Sequence, residues 1–185
     1  MTPKSVAWRW SGPPALEIEL VEVDNLGHQW VQVVMTAQDG LPGVVVIAER
    51  DGRIALVKQY RVTAGTHMWE LPRGFGEKID TEGGKDAASH ARSAAHRELA
   101  EETGMRLTDA RFLGDFFPDS GLLANSVSVV HGYVAADSVG RDVDEIDEIL
   151  WVDIADIGEL IADGTLHDGV TLSALAVWRL GRIRA

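Results

Sequence analysis

Arg97-Glu98-Leu99-Ala100-Glu101-Glu102-Thr103-Gly104-Met105 is the stretch around which this 185-residue chain is organised. Its three carboxylates fall at i, i+3 and i+4, so they share one side of any helix that carries them. Gly104 marks the stop, because a glycine just past the last turn enters the left-handed conformation without a Cβ clash. The acids therefore occupy the last turn, at the negative end of the helix dipole, where cations are favoured by roughly 0.3–1 kcal/mol each. Repulsion between Glu98 and Glu102 adds about 0.2–0.5 kcal/mol. A sequence that accepts both costs holds something positive there, and a hard divalent cation such as Mg²⁺ with oxygen ligands is the candidate.

Working outward, the residues from Asp86 turn to alanine mixed with charges. Ala88, Ala91, Ala95 and Leu99 form an apolar helical stripe, which Glu102 continues. A carboxylate in line with a buried face is costly unless something pairs with it. Strands are expected at Leu16–Leu20, Gln29–Thr36, Val44–Ile47, Ile54–Tyr60, Arg111–Phe117, Val127–Val134 and Ile149–Val152. Val44-Val45-Val46-Ile47 is continuously apolar and short, as in a strand covered on both faces. Asp51-Gly52 signals a hairpin. Residues 1–13 read as a loose arm and Arg61–Met68 as a loop. The acidic run 136–148 reads as a solvated loop, with Glu145 or Glu148 as lesser candidates near the site. Helices are expected from about Ile154 to Ala162 and from Thr171 to about Leu180. The class is α/β: a mixed sheet with helices on its faces, N-terminal antiparallel strands and C-terminal helices. One domain is expected, divided into N-terminal strands (1–38), core (39–154) and closing helices (155–185).

Composition narrows the function. Net charge is −12, which argues against nonspecific binding to nucleic acid or anionic membranes. There is no cysteine, so thiolate catalysis, disulfides and zinc–sulfur sites are excluded. Lys4 and Arg9 are followed by no apolar leader and no run approaches ~18 apolar residues, so a cytoplasmic enzyme is expected. The six histidines show no ligand spacing except His90 and His96, six apart and so not on one helical face, and all read as structural; the six tryptophans read as core or interface. Trp69, beside a Gly-rich loop, is a candidate to face a base or sugar.

Arg97 through Met105 resembles the second half of the Nudix box at every fixed position. The resemblance extends along most of the chain. Gln59-Tyr60-Arg61 and Trp69-Glu70-Leu71-Pro72-Arg73-Gly74 are similar to the approach to the box in ADP-ribose and nucleoside-diphosphate-sugar pyrophosphatases. Phe116-Phe117-Pro118 with Gly121, and Gly164 to Leu172, resemble the later segments of that branch. The resemblance implies a Nudix sandwich and Mg²⁺-dependent (Mn²⁺ being the substitute) cleavage of a nucleotide's pyrophosphate to a nucleoside monophosphate and a sugar phosphate. It also implies a homodimer through the N-terminal strands. Glu98, Glu101 and Glu102 become metal ligands, with Arg97 as their partner and the backbone carbonyl of Arg73 as a further ligand. Arg61, Glu70, Arg73, Gly74, Pro118 and Asp119 become substrate-binding candidates.

Three departures stand out. Gly76 and Glu82 have the spacing of the box's first half, but Glu82 lies too far before Arg97, so about seven residues are inserted within 77–88. Counted back from Arg97, Ser89 stands at the glutamate position and Gly83 at the glycine. The loop acid of several such pyrophosphatases is Asn125 here, and an amide cannot act as a base. The base is then a box glutamate, Asp119 or a water activated by the metal. Ser120 replaces a proline common before Gly121. Two alternatives stay open: another Nudix activity, on dinucleoside polyphosphates, NADH or oxidised nucleoside triphosphates, or a non-catalytic Nudix-like nucleotide sensor.

Overall fold

Val44 to Ala48 alternate between two cores, which decides the layering. Val44, Val46 and Ala48 pack with Ala91, Ala94, Ala95 and Leu99, whereas Val45 and Ile47 pack with Ala174, Leu175 and Trp178. The strand is covered on both faces, as its unbroken apolar run requires. The computed structural model describes residues 4–77, 86–135 and 146–183. In chain order they form β1 (Lys4–Trp10), β2 (Leu16–Asn25), β3 (His28–Ala37), β4 (Gly43–Arg50), β5 (Arg53–Arg61), β6 (Thr66–Glu70) and β7 (Arg73–Phe75). Then come α1 (Ala87–Thr103), β8 (Leu107–Phe116), β9 (Val127–Val134), β10 (Glu148–Asp153), α2 (Ile157–Ala162) and α3 (Gly169–Ile183). A seven-stranded mixed sheet in the order β10-β5-β4-β9-β8, with β6 on β5 and β7 on β4, lies between α1 and the α2–α3 pair. β1-β2-β3 make a separate three-stranded antiparallel sheet.

Two details position the site. β4 and β5 pair only beside their Asp51-Gly52 turn, at Glu49↔Ile54 and Arg50↔Arg53. Beyond that they diverge: β6 pairs with the outer half of β5 and β7 with the inner half of β4. The connector Glu70 to Arg73 sits in the resulting wedge, and Val46 N donates to Pro72 O at 2.8 Å. The second detail is the junction of the two sheets. Met35 N donates to Leu122 O, and Ala124 N to Met35 O, so the loop after β8 docks on β3.

Two expectations need correction. Residues 4–10 are not a loose arm but a strand, held by β2 and by ion pairs from Lys4 to Glu19 and from Arg9 to Glu17. Its side chains are all exposed, so no periodic burial announced it. The loop expected at Arg61–Met68 is shorter, because Gly65 (φ +67°) closes a turn that returns the chain as β6. The acids Asp142, Asp144 and Glu145, and Glu82 and Gly83 of the inserted stretch, lie outside the described residues.

Candidate active site

The C-terminal half of α1 builds the site's floor. Asp86 caps the helix by accepting from Ser89 N at 2.8 Å. Gly104 ends it at φ 67°, its N–H donating to Ala100 O at 2.8 Å. Glu98 and Glu102 lie on the buried face among Ala94, Ala95, Leu99 and Thr103. They are 9% and 7% exposed. Burial is the main cause that pushes Glu98 up to about 7, against the pull of Arg97. Burial, reinforced by the charge of Glu98, pushes Glu102 up to about 8. Glu101 instead points to solvent and pairs with Arg97 at 3.0 Å.

Arg97 gathers four groups, one of them Glu77, whose Oε1 lies 3.7 Å from Nη1. Its Nη1 donates to Glu98 Oε1 at 2.8 Å and to Glu101 Oε2 at 3.0 Å, and its Nη2 to Phe75 O at 2.9 Å. Arg73 N donates to Glu102 Oε2 at 3.1 Å. A Cβ on Gly74 would lie 2.0 Å from Glu98 Oε2, so only a glycine lets β7 approach the carboxyl this closely. Arg73-Gly74 thus touches both buried acids.

The other side of Arg73-Gly74 lines a cleft of about 290 Å³, walled by Arg61, Phe75, Pro118, Val127 and Val170 and by Leu16, Met35 and Ala37 of the small sheet. Glu70, fully buried, aligns both arginines. Its Oε1 accepts from Arg61 Nη2 at 2.6 Å, and its Oε2 from Arg61 Nε at 3.2 Å and from Arg73 Nε and Nη2 at 3.2 and 2.8 Å. Each guanidinium thus turns its Nε–Nη2 edge to Glu70, and both arginines line the cleft. Asp168 adds a second carboxylate to Arg73, at 3.2 Å from Nη2.

The structure brings Arg61, Glu70, Arg73, Gly74, Arg97, Glu98 and Glu102 together, with Glu101 at the rim and Pro118 on the cleft wall. Asp119 is exposed, caps its own turn by accepting from Gly121 N at 2.9 Å, and does not line the cleft. Asn125 is structural: its Oδ1 accepts from Ala37 N, and its Nδ2 donates to Ala37 O and Leu41 O, each at 2.8 Å. Trp69 packs partly buried against the α3-side core, 5.5 Å from Lys58 Nζ, and Glu148 pairs with Lys58. Sequence reasoning missed the reach of Asp168 and the cleft wall of Leu16, Met35 and Ala37. Asp168 three residues before Thr171 carried the usual helix-cap signal, but nothing in the sequence pointed that side chain at Arg73.

A family model, the NUDIX domain, matches residues 41–174. The chain belongs to the Nudix family. Nudix hydrolases generally use divalent metal ions, and this chain is a Nudix hydrolase. It is 32% identical to a CMP-5'-(N-acetyl-N-hydroxy-3-aminopropyl)phosphonate hydrolase of Streptomyces rubellomurinus, over 91% of this chain and 78% of that protein. It is 30% identical to an ADP-ribose pyrophosphatase of Mycobacterium tuberculosis, over 71% of this chain and 61% of that protein. A crystal structure of an ADP compounds hydrolase superposes with a TM-score of 0.72 at 20% identity, over 97% of this chain and 91% of the other, and so shares the Nudix fold. No helix among the described residues is long and apolar enough to cross a membrane.

The carboxyls suit a hard cation. Glu98 and Glu102 are neighbours and buried, and burial raises both carboxyls, so a cation beside them would offset the cost of their charge. Among the described residues no three His, Asp or Glu side chains form a ready cage, because Glu101 is turned toward Arg97. In the metal-free protein, folded Glu98 and Glu102 hold protons that the unfolded chain releases from the ordinary value of 4.5 upward. The unfolded state then binds fewer protons, so stability falls as pH rises from about 4.5 to about 8. In EDTA the melting temperature is expected to fall by about 5 °C or more across that window. Mg²⁺ at pH 8 is expected to restore it, and a flat profile in EDTA would show that the two acids are not buried as described.

Proposed function

We propose that this Nudix hydrolase cleaves the pyrophosphate of a nucleoside diphosphate derivative in a Mg²⁺-dependent reaction, with ADP-ribose or a nucleotide sugar as substrate. The products are a nucleoside monophosphate and a sugar phosphate. One observation carries the reading: Arg73-Gly74 contacts both buried glutamates on one side and lines the arginine-bearing cleft on the other. Anions held by the arginines would therefore lie next to the acids.

Glu98 and Glu102, with Glu101 once it leaves Arg97, would hold the ion. The carbonyl of Arg73 would be a further ligand from the same segment. A bound divalent ion neutralises the diphosphate and lowers the pKa of an attacking water. The chain's own groups do the rest. Nη1 of Arg61 and of Arg73 grip phosphate oxygens, and Glu70 holds both forks at the angle this needs. Arg97 orients Glu98 against Phe75 O. The apolar wall of Leu16, Met35, Phe75 and Val127 takes the nucleoside and excludes water. Asn125 is spent on backbone groups and Asp119 on its turn, so a box glutamate or the activated water supplies the base.

The small sheet supports the dimer. Trp8, Trp10, Trp30 and Val31 are 45–58% exposed on it, and a three-stranded sheet open this widely gains from a second copy. A cytoplasmic setting fits the same reading.

The test is product analysis with Mg²⁺ on ADP-ribose, nucleotide sugars, cytidine conjugates, dinucleoside polyphosphates and NADH. AMP from ADP-ribose is the expected result. Turnover of only the polyphosphates or NADH would move the chain to another Nudix activity, and binding without any turnover would make it a sensor.

A further inference from the structure

Asp168 uses its two oxygens for different tasks. Oδ2 accepts from Thr171 N at 2.8 Å and so caps α3. Oδ1 lies 3.2 Å from Arg73 Nη2. Asp168 is only 8% exposed and the Arg73 side chain 22%, so this contact is partly shielded from solvent. The same helix start reaches the connector again: Thr171, fully buried, accepts from Leu71 N at 3.0 Å with its Oγ1. Two side chains at the start of α3, the cap Asp168 and Thr171 of the first turn, therefore hold the segment that carries Arg73. Glu70 and Asp168 bear on that guanidinium from two parts of the chain, and Arg73 itself lines the cleft.

We propose that Asp168 is a positioning residue that fixes the Arg73 guanidinium for the substrate's diphosphate. It acts through Arg73 and does not touch substrate or metal. The proposal rests on the diphosphate reading above and adds to it a residue from the C-terminal helix. Without Oδ1, Arg73 is aligned by Glu70 alone, a single carboxylate it shares with Arg61.

Asp168→Asn separates the two tasks. Asn caps a helix about as well as Asp, so α3 keeps its start. An amide has one acceptor oxygen. If that oxygen caps Thr171 N, the NH₂ faces the Arg73 fork, donor against donor. Asp168→Ser also keeps a cap but is too short to reach Arg73. Both variants are expected to melt within about 3 °C of wild type. The KM for ADP-ribose is expected to rise roughly 10-fold, with kcat changed less than about three-fold, as loss of ground-state grip predicts. In an Arg73→Gln background, adding Asp168→Asn is expected to change KM less than about two-fold, because the partner it acts through is gone.

An unchanged KM in both capped variants overturns the proposal. So does an equal rise in both backgrounds, because an effect through the cap does not depend on Arg73. A wild-type protein that releases no nucleoside monophosphate from any substrate of the panel removes the diphosphate reading itself, and this proposal with it. That result is read on wild type alone and is distinct from a failure of the variants.

Discussion

Replacing Glu102 by Gln is expected to lower kcat by several kcal/mol of barrier, about 10³-fold, while leaving the metal-free protein at least as stable as wild type at pH 8. The two halves of this result come from one fact. Glu102 extends the apolar stripe of α1 into the core, where burial and the neighbouring Glu98 push it up to about 8. Near neutrality the metal-free fold therefore already holds a neutral side chain there. Gln has the same shape, is neutral at every pH and still offers an oxygen to Arg73 N, which donates to Glu102 Oε2 at 3.1 Å. The fold loses nothing and is relieved of a charge that burial disfavours. In the proposed reaction, what is lost is an anionic oxygen that would hold the divalent ion. Calorimetry in EDTA and in Mg²⁺, run beside steady-state kinetics, checks both halves. Wild type should gain melting temperature from Mg²⁺, and Glu102→Gln should gain little. A kcat within ten-fold of wild type would show that this carboxylate is not part of the chemistry. A variant that unfolds in EDTA would show that its charge, not its shape, supports the helix.

The same residue shows what was legible in the chain and why. A helix with an acid in line with its apolar stripe, stopped by Gly104, is a local pattern, and local patterns survive folding. The two-sided burial of Val44 to Ile47 was legible for the same reason. The pairing of β1 with β2 was not, because every side chain of β1 is exposed and only its partner makes it a strand. The split between β4 and β5, which creates the wedge for Glu70 to Arg73, follows from pairings with β6 and β7 that no short window contains. Glu101 shares a helical side with Glu98 and Glu102 by spacing, yet Arg97 draws it to solvent. Asn125 was legible as the absence of a base. What it does instead, tying Ala37 and Leu41 to the loop after β8, depends on residues more than 80 positions away. The pairing of Asp168 with Arg73 spans 95 positions and is likewise a product of the whole fold.

Gly74→Ala is the sharper test of the site's geometry, because a single methyl is expected to disable it without unfolding the protein. Gly74 shows no left-handed φ, so alanine fits its backbone. The added Cβ, however, would lie 2.0–2.3 Å from the carboxyl atoms of Glu98. Those atoms are the far end of a flexible side chain, so Glu98 yields before the backbone does. It must swing away from β7, which breaks its 2.8 Å bond from Arg97 Nη1 and removes it from Glu102. The expected loss in kcat/KM is at least about 100-fold, the scale seen when a reacting group is displaced by about an ångström. Leaving the buried position also relieves the desolvation that raises Glu98, so the melting temperature in EDTA should stay within about 3 °C of wild type. Gly76→Ala supplies the contrast. Its Cβ would meet the backbone oxygen of Pro42 at 2.3 Å, and Gly76 N already donates to that oxygen at 2.9 Å. A carbonyl in the chain just before β4 cannot rotate away as a side chain can, so this variant should lose stability along with activity. Were Gly74→Ala to retain full activity, Glu98 could not be held against β7 in the working enzyme. The pair of buried acids would then not be the unit that binds the ion.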